Sequence, residues 1–278
     1  LFSNQKKKIE YHPEPYLKFE NIDQLLLGYG NMAKAGDFNF DASRDATNFE
    51  VSDIKGLVLW LDGADPTTMY DATVSGSLVA VDGKIARWED KSGNGFHATQ
   101  ATSANRPTRK VNVKNGLGSP FFDRKSATFA SGANYLSLGT TIGKPSEFTI
   151  FTVAQRLISA SCSTLCFSSG SITQWGLQRH GVSASGVDSN KIRSGSSDGT
   201  GIVTSDTDGL TVDLTQYVIV SCRYTNGSNF VEMFVNGVSL TVTKTEATSY
   251  LNGGTLAEGS LGRAGFFDSG YFGGYISE

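Results

Sequence analysis

The sequence contains few of the residues from which disulfide scaffolds and membrane spans are built. Three cysteines among 278 residues are fewer than a secreted disulfide framework uses, and their number is odd. We therefore expect Cys162, Cys166 and Cys222 to be buried free thiols. No apolar run approaches the length of a membrane-spanning helix, so no membrane insertion is expected. The first residues show no signal-peptide pattern.

Charge of either sign is also in short supply. The chain has 24 Lys and Arg against 27 Asp and Glu, a net charge of −3, and the two signs are intermingled. This balance offers no basic face for nucleic acid. The only basic cluster is a run of three lysines at residues 6–8, and such terminal runs are usually just solvated. We expect no nucleic-acid partner.

Long amphipathic helical patterns are missing from most of the chain, and short β-forming runs take their place. Apolar or alternating runs of strand length occur at residues 57–61, 148–154 and 217–224. Asn236-Gly237 and Asp82-Gly83 predict tight hairpin turns between strands. Residues 54–278 are therefore predicted to form an all-β domain, an antiparallel sandwich of two sheets.

The first 53 residues differ from the rest. They open with lysines, carry Pro13 and Pro15, and contain one short helical pattern at residues 22–27 that glycine would end. They hold too few apolar residues to bury a core alone. We predict that residues 1–53 form a mostly irregular extension that anchors the domain to a partner. The alternative is a disordered tail.

Several motifs of the sandwich region follow one another in a familiar order. Residues 56–62 read GLVLWLD, residues 88–98 read WEDKSGNGFHA, residues 234–237 read FVNG and residues 272–278 read FGGYISE. In this order they resemble the laminin-G-like and concanavalin-A-like jelly-roll domains of phage and bacterial surface proteins. The resemblance covers residues 54–278 and implies a jelly-roll sandwich that serves in surface binding. Domains of this family continue past the final motif, so we expect the last strand to be truncated.

The WEDKSGNG motif contains the candidate metal site. The carboxylate of Asp90 and the carboxamide oxygen of Asn94 are hard oxygen ligands of the kind that calcium prefers. In the alternative interpretation, Asp90 and Ser92 close a turn by bonding to backbone amides, and Gly93 and Gly95 supply positive φ angles. No cofactor is required under either interpretation, and calcium is the metal that the first one implies.

The sequence shows no convincing catalytic set. It has no G-x-S-x-G elbow for a serine nucleophile, and its carboxylates stand singly in turns rather than as the close pair of a glycosidase. A polysaccharide lyase of this fold would need a histidine and a tyrosine near arginine or glutamine. Only Gln174, Arg179, His180 and Tyr217 offer such groups, and His180 lies in a predicted loop. We predict that the chain is not an enzyme.

Aromatic side chains are the candidate ligand-binding groups, because aromatic rings stack on the apolar faces of sugar rings. Trp60 and Trp88 lie in strand patterns and are predicted to be core. Trp175 is a candidate, with core packing as its alternative. A glycine-flanked loop supplies further candidates, since recognition residues are often found on loops; the alternative is an apolar plug beneath the loop. The loop candidates are Phe266, Phe267, Asp268 and Tyr271.

These patterns lead to a functional prediction with open alternatives. The chain is predicted to be a recognition module on a virion surface, such as a tail-fibre, head-fibre or receptor-binding protein, that binds glycan or another cell-surface component. Residues 1–53 would attach it to other virion or surface-assembly subunits, and homo-oligomers are compatible with this arrangement. One alternative is a capsid decoration or cement protein without a ligand. Another is a glycan-binding module of a secreted, extracellular bacterial protein.

Overall fold

The computed structural model describes most of the predicted sandwich region. The described residues are 50–124, 133–139, 142–143, 148–157, 162–169, 172–179, 192–197, 202–207, 215–225, 230–244, 255–256, 259–263 and 271–278. From Val51 onward they belong to one compact unit, Val51–Glu278. Residues 1–49, which include most of the predicted irregular extension and its predicted short helix, lie outside the described residues.

The described residues form short strands and three single-turn 3₁₀ helices. The 3₁₀ helices are Val51–Asp53, Pro66–Thr68 and Ser103–Asn105. The strands are β1 (Met69–Tyr70), β2 (Arg87–Trp88), β3 (Ala98–Thr99), β4 (Thr108–Lys114), β5 (Leu117–Phe122), β6 (Leu136–Ser137), β7 (Ile142–Gly143), β8 (Phe148–Arg156), β9 (Cys162–Ser169), β10 (Ile172–Arg179), β11 (Ile192–Ser197), β12 (Ile202–Thr207), β13 (Tyr217–Thr225), β14 (Phe230–Val235), β15 (Val238–Leu240), β16 (Val242–Lys244), β17 (Thr255–Leu256), β18 (Gly259–Leu261) and β19 (Gly274–Ile276). No helix within these ranges is long and apolar enough to span a membrane.

Two large sheets make up the fold. One has ten strands in the order β1-β2-β3-β6-β18-β9-β10-β11-β12-β16, and the other has seven in the order β15-β14-β13-β8-β19-β5-β4. Neighbouring strands run antiparallel, as in the central pairs of the seven-stranded sheet. Strands β7 and β17 form a separate small pair. The predicted fold class, an all-β antiparallel two-sheet jelly-roll sandwich, is confirmed.

The core lies between the two large sheets. The ten-stranded sheet contributes Met69, Trp88 and Leu136, and the seven-stranded sheet contributes Phe122 and Val220 among others. Burying large apolar side chains from both sheets is the main favourable term in holding such layers together. Trp88 is fully buried, as predicted.

The structure describes the side chain of one of the three cysteines. Cys222 is a buried free thiol on β13, as the sequence led us to expect, and burial raises its pKa to about 12. The thiol is therefore protonated at neutral pH and acts as a small apolar group. The side chains of Cys162 and Cys166, on β9, lie outside the described residues.

The two predicted hairpin turns have different outcomes. Asn236 and Gly237 both have positive φ, 49° and 77°, as a type I′ turn requires, and they join β14 to β15. The hairpin predicted at Asp82-Gly83 is wrong. There the backbone N–H of Asp82 donates to the Arg109 carbonyl at 2.9 Å, and the Arg109 N–H donates back to Gly83 at 2.9 Å. A tight turn does form, since the Gly83 N–H donates to the Ala80 carbonyl at 3.0 Å, but its flanks pair with β1 and β4 rather than with each other.

Residues 57–61, predicted as a strand, are another correction. This segment does not pair with a neighbouring strand. Side chains of the WEDKSGNG motif hold it in place through hydrogen bonds to its backbone. Trp60 is only partly buried, contrary to the prediction that it is core. Its indole nitrogen donates to Glu278 Oε1 at 3.3 Å, which keeps the ring at the margin of the core.

Candidate functional site

The Asp90 carboxylate organises the loop that was predicted as a metal site. Asp90 Oδ1 accepts hydrogen bonds from the backbone N–H groups of Trp60 and Ser92, at 2.9 and 2.8 Å. Asp90 Oδ2 accepts from the Ser92 hydroxyl at 2.8 Å and from the Phe96 N–H at 3.0 Å. The side chain is only slightly exposed, and hydrogen bonds to a carboxylate are among the strong ones. Asp90 therefore ties the loop to residue 60.

The Asn94 side chain also ties the loop to the preceding segment, at residues 57 and 58. Its carboxamide nitrogen donates to the carbonyls of Leu57 and Val58, each at 3.0 Å. Gly93 and Gly95 have φ angles of 87° and 76°, a region that glycine occupies without strain. These contacts match the turn-closing interpretation. Within the described ranges, no group of three or more His, Cys, Asp or Glu side chains is placed to hold a metal ion. The calcium site at Asp90 and Asn94 stays a prediction.

A second polar cluster surrounds Lys91. Its ammonium lies 2.8 Å from Asp62 Oδ2 and 2.9 Å from Asp65 Oδ2, and 4.3 Å from the centre of the Trp60 ring. The Thr67 hydroxyl and Lys91 both favour ionised Asp65, whose pKa is lowered. Each charge in the cluster has a partner, so the cluster fixes loop positions and leaves no free reactive group.

Glu278, at the edge of this cluster, is expected to make the stability of the domain depend on pH. Burial raises the pKa of its side chain from 4.5 to about 7, against the opposing effect of the Trp60 N–H donor. Because the folded state holds this proton more tightly than the unfolded state does, stability should fall as pH rises from about 4.5 to 7, by up to about 3 kcal/mol. Urea denaturation across this range should show the slope, and Glu278→Gln should reduce it. An unchanged slope in the variant would assign the effect to another group.

The sequence-predicted ligand residues are only partly described. Trp175 lies on β10 of the ten-stranded sheet, but its side chain is outside the described residues, as are Phe266, Phe267 and Asp268. Tyr271 is described and is 4% exposed. Its ring centre lies 6.5 Å from that of Tyr135. This placement matches the packing alternative for Tyr271, and its role in ligand binding stays a prediction.

The residues considered for lyase chemistry are also only partly described. Gln174 and Arg179 lie on β10 with undescribed side chains, and His180 is outside the described residues. Tyr217 begins β13 of the other sheet. The prediction that these residues form no catalytic set stays a prediction.

One surface feature was missed in the sequence. Four residues lie in register across four neighbouring strands of the seven-stranded sheet: Phe121 on β5 pairs with Tyr275 on β19, Tyr275 pairs with Gln155 on β8, and Gln155 pairs with Tyr217 on β13. We call these four residues the aromatic row. With neighbouring strands about 4.8 Å apart, the row extends about 14 Å across the sheet.

The aromatic row faces away from the core. Side chains alternate between the two faces of a strand, and the neighbours of the row along each strand belong to the core. These core neighbours are Phe122, Ala154, Val218 and Ile276. The three rings of the row are partly exposed, on the outer side of the seven-stranded sheet.

The rings of the row contact one another. The centres of Phe121 and Tyr275 are 5.2 Å apart with planes inclined at 48°, and those of Tyr275 and Tyr217 are 6.2 Å apart at 29°. Gln155 lies between the two tyrosines, and its carboxamide nitrogen donates to the Thr215 carbonyl at 2.8 Å. Contacts of this kind reduce the freedom of the rings before any ligand binds.

Hydroxyl groups lie beside one end of the row. The Ser277 hydroxyl donates to the Ser119 hydroxyl at 3.0 Å, and Ser119 donates to the Ile276 carbonyl at 3.2 Å. Burial raises the pKa of Tyr217, and the nearby hydroxyls of Ser119 and Ser277 oppose this rise. The Tyr217 oxygen is nevertheless buried without a partner within hydrogen-bond geometry.

Comparisons with known proteins give only distant similarities. No family model and no curated protein matches the chain. Among solved structures, the native heptameric SAP-like pentraxin from Limulus polyphemus is similar at 11% identity and a TM-score of 0.41, covering 57% of this chain and 72% of the pentraxin. Domains LG4-5 of the mouse laminin alpha1 chain are similar at 17% identity and a TM-score of 0.39, covering 56% of this chain. The chain spans 38% of that laminin structure. At such levels the assignment of fold rests on the two sheets themselves.

Proposed function

We propose that this chain is a non-catalytic recognition module on a virion surface, which binds glycan or another component of a cell surface. The observation that supports the proposal is the outer face of the seven-stranded sheet. An outward sheet face normally carries polar side chains, whereas this one carries the aromatic row. Large exposed apolar groups are costly unless they serve binding or are covered.

The rest of the same face is also apolar. Val153 and Ile219 are in register on β8 and β13, two residues along from the row. Phe151 and Phe234 lie on either side of Ser221 in the next row, and Phe151 is 39% exposed. The apolar character thus extends over three neighbouring strands, which gives an interaction surface rather than one misplaced side chain.

Adsorption of the whole chain to purified host-surface polysaccharides and to intact host cells tests this function. We expect saturable adsorption to at least one such surface, and no release of cleaved product from the polysaccharide. Absence of adsorption to every surface would contradict the proposal and favour a decoration or cement protein. Release of oligosaccharide would show an enzyme instead.

The proposal includes an anchoring role for residues 1–53. Because Val51–Glu278 forms a compact unit, deletion of residues 1–50 should leave a folded sandwich with a nearly unchanged melting temperature. The truncated chain should fail to join the larger assembly, since the segment can bury its few apolar residues only against a partner. Incorporation can be measured by sedimentation with the assembled particle. Normal incorporation of the truncated chain would contradict the anchoring role.

A further inference from the structure

We propose that the aromatic row is the binding site of an uncharged oligosaccharide, whose sugar rings stack on Phe121, Tyr275 and Tyr217. This inference rests on the recognition function proposed above and assigns it a site and a ligand class. The site differs from the loop and the tryptophan that the sequence suggested.

The geometry of the row fits a chain of rings. Phe121, Tyr275 and Tyr217 are each partly exposed, and their ring centres follow one another at 5.2 and 6.2 Å. A monosaccharide would cover only one ring, whereas three rings at these separations fit several linked sugars. The apolar C–H faces of sugars are suited to aromatic rings in the way that nucleic-acid bases are, because each contact is a flat stack with little directional demand.

A polar group is present where a sugar hydroxyl would need one. The carboxamide nitrogen of Gln155 is held by the Thr215 carbonyl, so the carboxamide oxygen is turned to the opposite side. That oxygen accepts no hydrogen bond from the described residues. Binding sites for small ligands combine apolar walls with a few oriented polar groups, and Gln155 supplies such a group in the middle of the row.

The charges around the row favour a neutral ligand. The row itself carries no ionised side chain. Lys110, on β4 of the same sheet, is paired with Asp82 at 2.6 Å. A sulfated or uronic-acid glycan would need an unpaired cation, and the Lys110 ammonium beside the row already has a carboxylate partner. The ligand class is therefore an uncharged oligosaccharide.

Calorimetric titration of the whole chain with neutral oligosaccharides tests the assignment. The probes are hexasaccharides of glucose, mannose, galactose and xylose, together with the shorter members of any series that binds. We expect binding that strengthens with chain length until the row is filled, and that persists in EDTA. We expect Tyr275→Ala to weaken it about ten-fold or more, as the loss of a stacking ring does. Tyr217→Phe, which retains the ring, should change the affinity less than three-fold, roughly.

Tyr70→Ala is the matched control, because Tyr70 is a partly exposed aromatic residue of the ten-stranded sheet and lies outside the outer face of the seven-stranded sheet. It should leave oligosaccharide affinity nearly unchanged. Circular dichroism and thermal melting verify the folding of each variant. If Tyr275→Ala does not fold, Tyr275→Leu removes the aromatic ring while keeping apolar bulk, and the same loss of affinity is expected.

The failures of the two proposals can be told apart. If the chain adsorbs to cells but binds no neutral oligosaccharide, or binds one equally well as Tyr275→Ala and Tyr275→Leu, the row assignment is overturned and the recognition function stands. Loss of binding in EDTA together with unaffected row variants would transfer the site to the Asp90 loop. Absence of adsorption to any surface would overturn both proposals.

Discussion

Asp90→Ala is expected to destabilise the sandwich by about 3–5 kcal/mol, because several hydrogen-bond donors of the loop lose their acceptor together. The substitution removes the acceptor of three backbone N–H groups and one hydroxyl. Each buried donor left without a partner costs about 1–3 kcal/mol, and water reaches only part of this 7% exposed position. Urea denaturation followed by circular dichroism gives the loss directly.

Two Asp→Asn substitutions, at Asp90 and at Asp82, separate the effect of losing the loop's hydrogen bonds from the effect of losing a charge. Asp90→Asn retains one acceptor oxygen but presents an amide donor to the N–H groups around it, so we expect a clear loss of stability. Asp82→Asn removes the charge of an exposed ion pair, and such pairs contribute roughly 1 kcal/mol or less. Equal small effects at Asp90 and Asp82 would mean that the carboxylate does not hold the loop.

The same measurement tests the calcium prediction for Asp90 and Asn94. A metal that binds only the folded state raises the unfolding free energy with its concentration. Millimolar calcium should therefore raise the melting temperature of the wild-type chain, and not that of Asp90→Asn, if the loop holds the ion. No response in the wild type would leave the turn-closing role alone.

The fold could be predicted from the sequence wherever the conformation depends on neighbouring residues in the chain. Asn236-Gly237 predicts a hairpin because both residues must adopt positive φ, and the alternating run at 217–224 predicts β13 because its in-facing positions are apolar. Asp82-Gly83 misled for a related reason. An Asp-Gly pair supports several turns, and the pairing partners of its flanks, β1 and β4, lie elsewhere in the chain. The turn signal is local, but the choice of partner is not.

The aromatic row could not be predicted because it exists only in the register of four strands. Phe121, Gln155, Tyr217 and Tyr275 are far apart in sequence, and a shift of one residue in any strand would turn its member into the core. The available signal was in β8, where apolar residues occupy both faces of the strand. The outward face of such a strand is usually polar, and this run departs from that pattern.

Tyr271→Ala is expected to destabilise the domain by about 3–5 kcal/mol, the cost of truncating a buried aromatic side chain. Tyr271 was a candidate for ligand binding on sequence, but the structure leaves it 4% exposed with its ring beside that of Tyr135. The guanidinium of Arg263 lies 3.9 Å from the centre of the Tyr135 ring on the same cluster. Removal of the Tyr271 ring would leave a cavity beside Tyr135.

Tyr271→Phe is the control, because it retains the ring and its packing, and it should lose much less stability than the alanine variant. Thermal melting and adsorption to the host surface are measured for both variants at a temperature where each is folded. We expect the alanine variant to melt much lower while its adsorption, measured when folded, is preserved. An unchanged melting temperature with lost adsorption would show that Tyr271 contacts the ligand after all, and that the loop beside it, rather than the aromatic row, carries recognition.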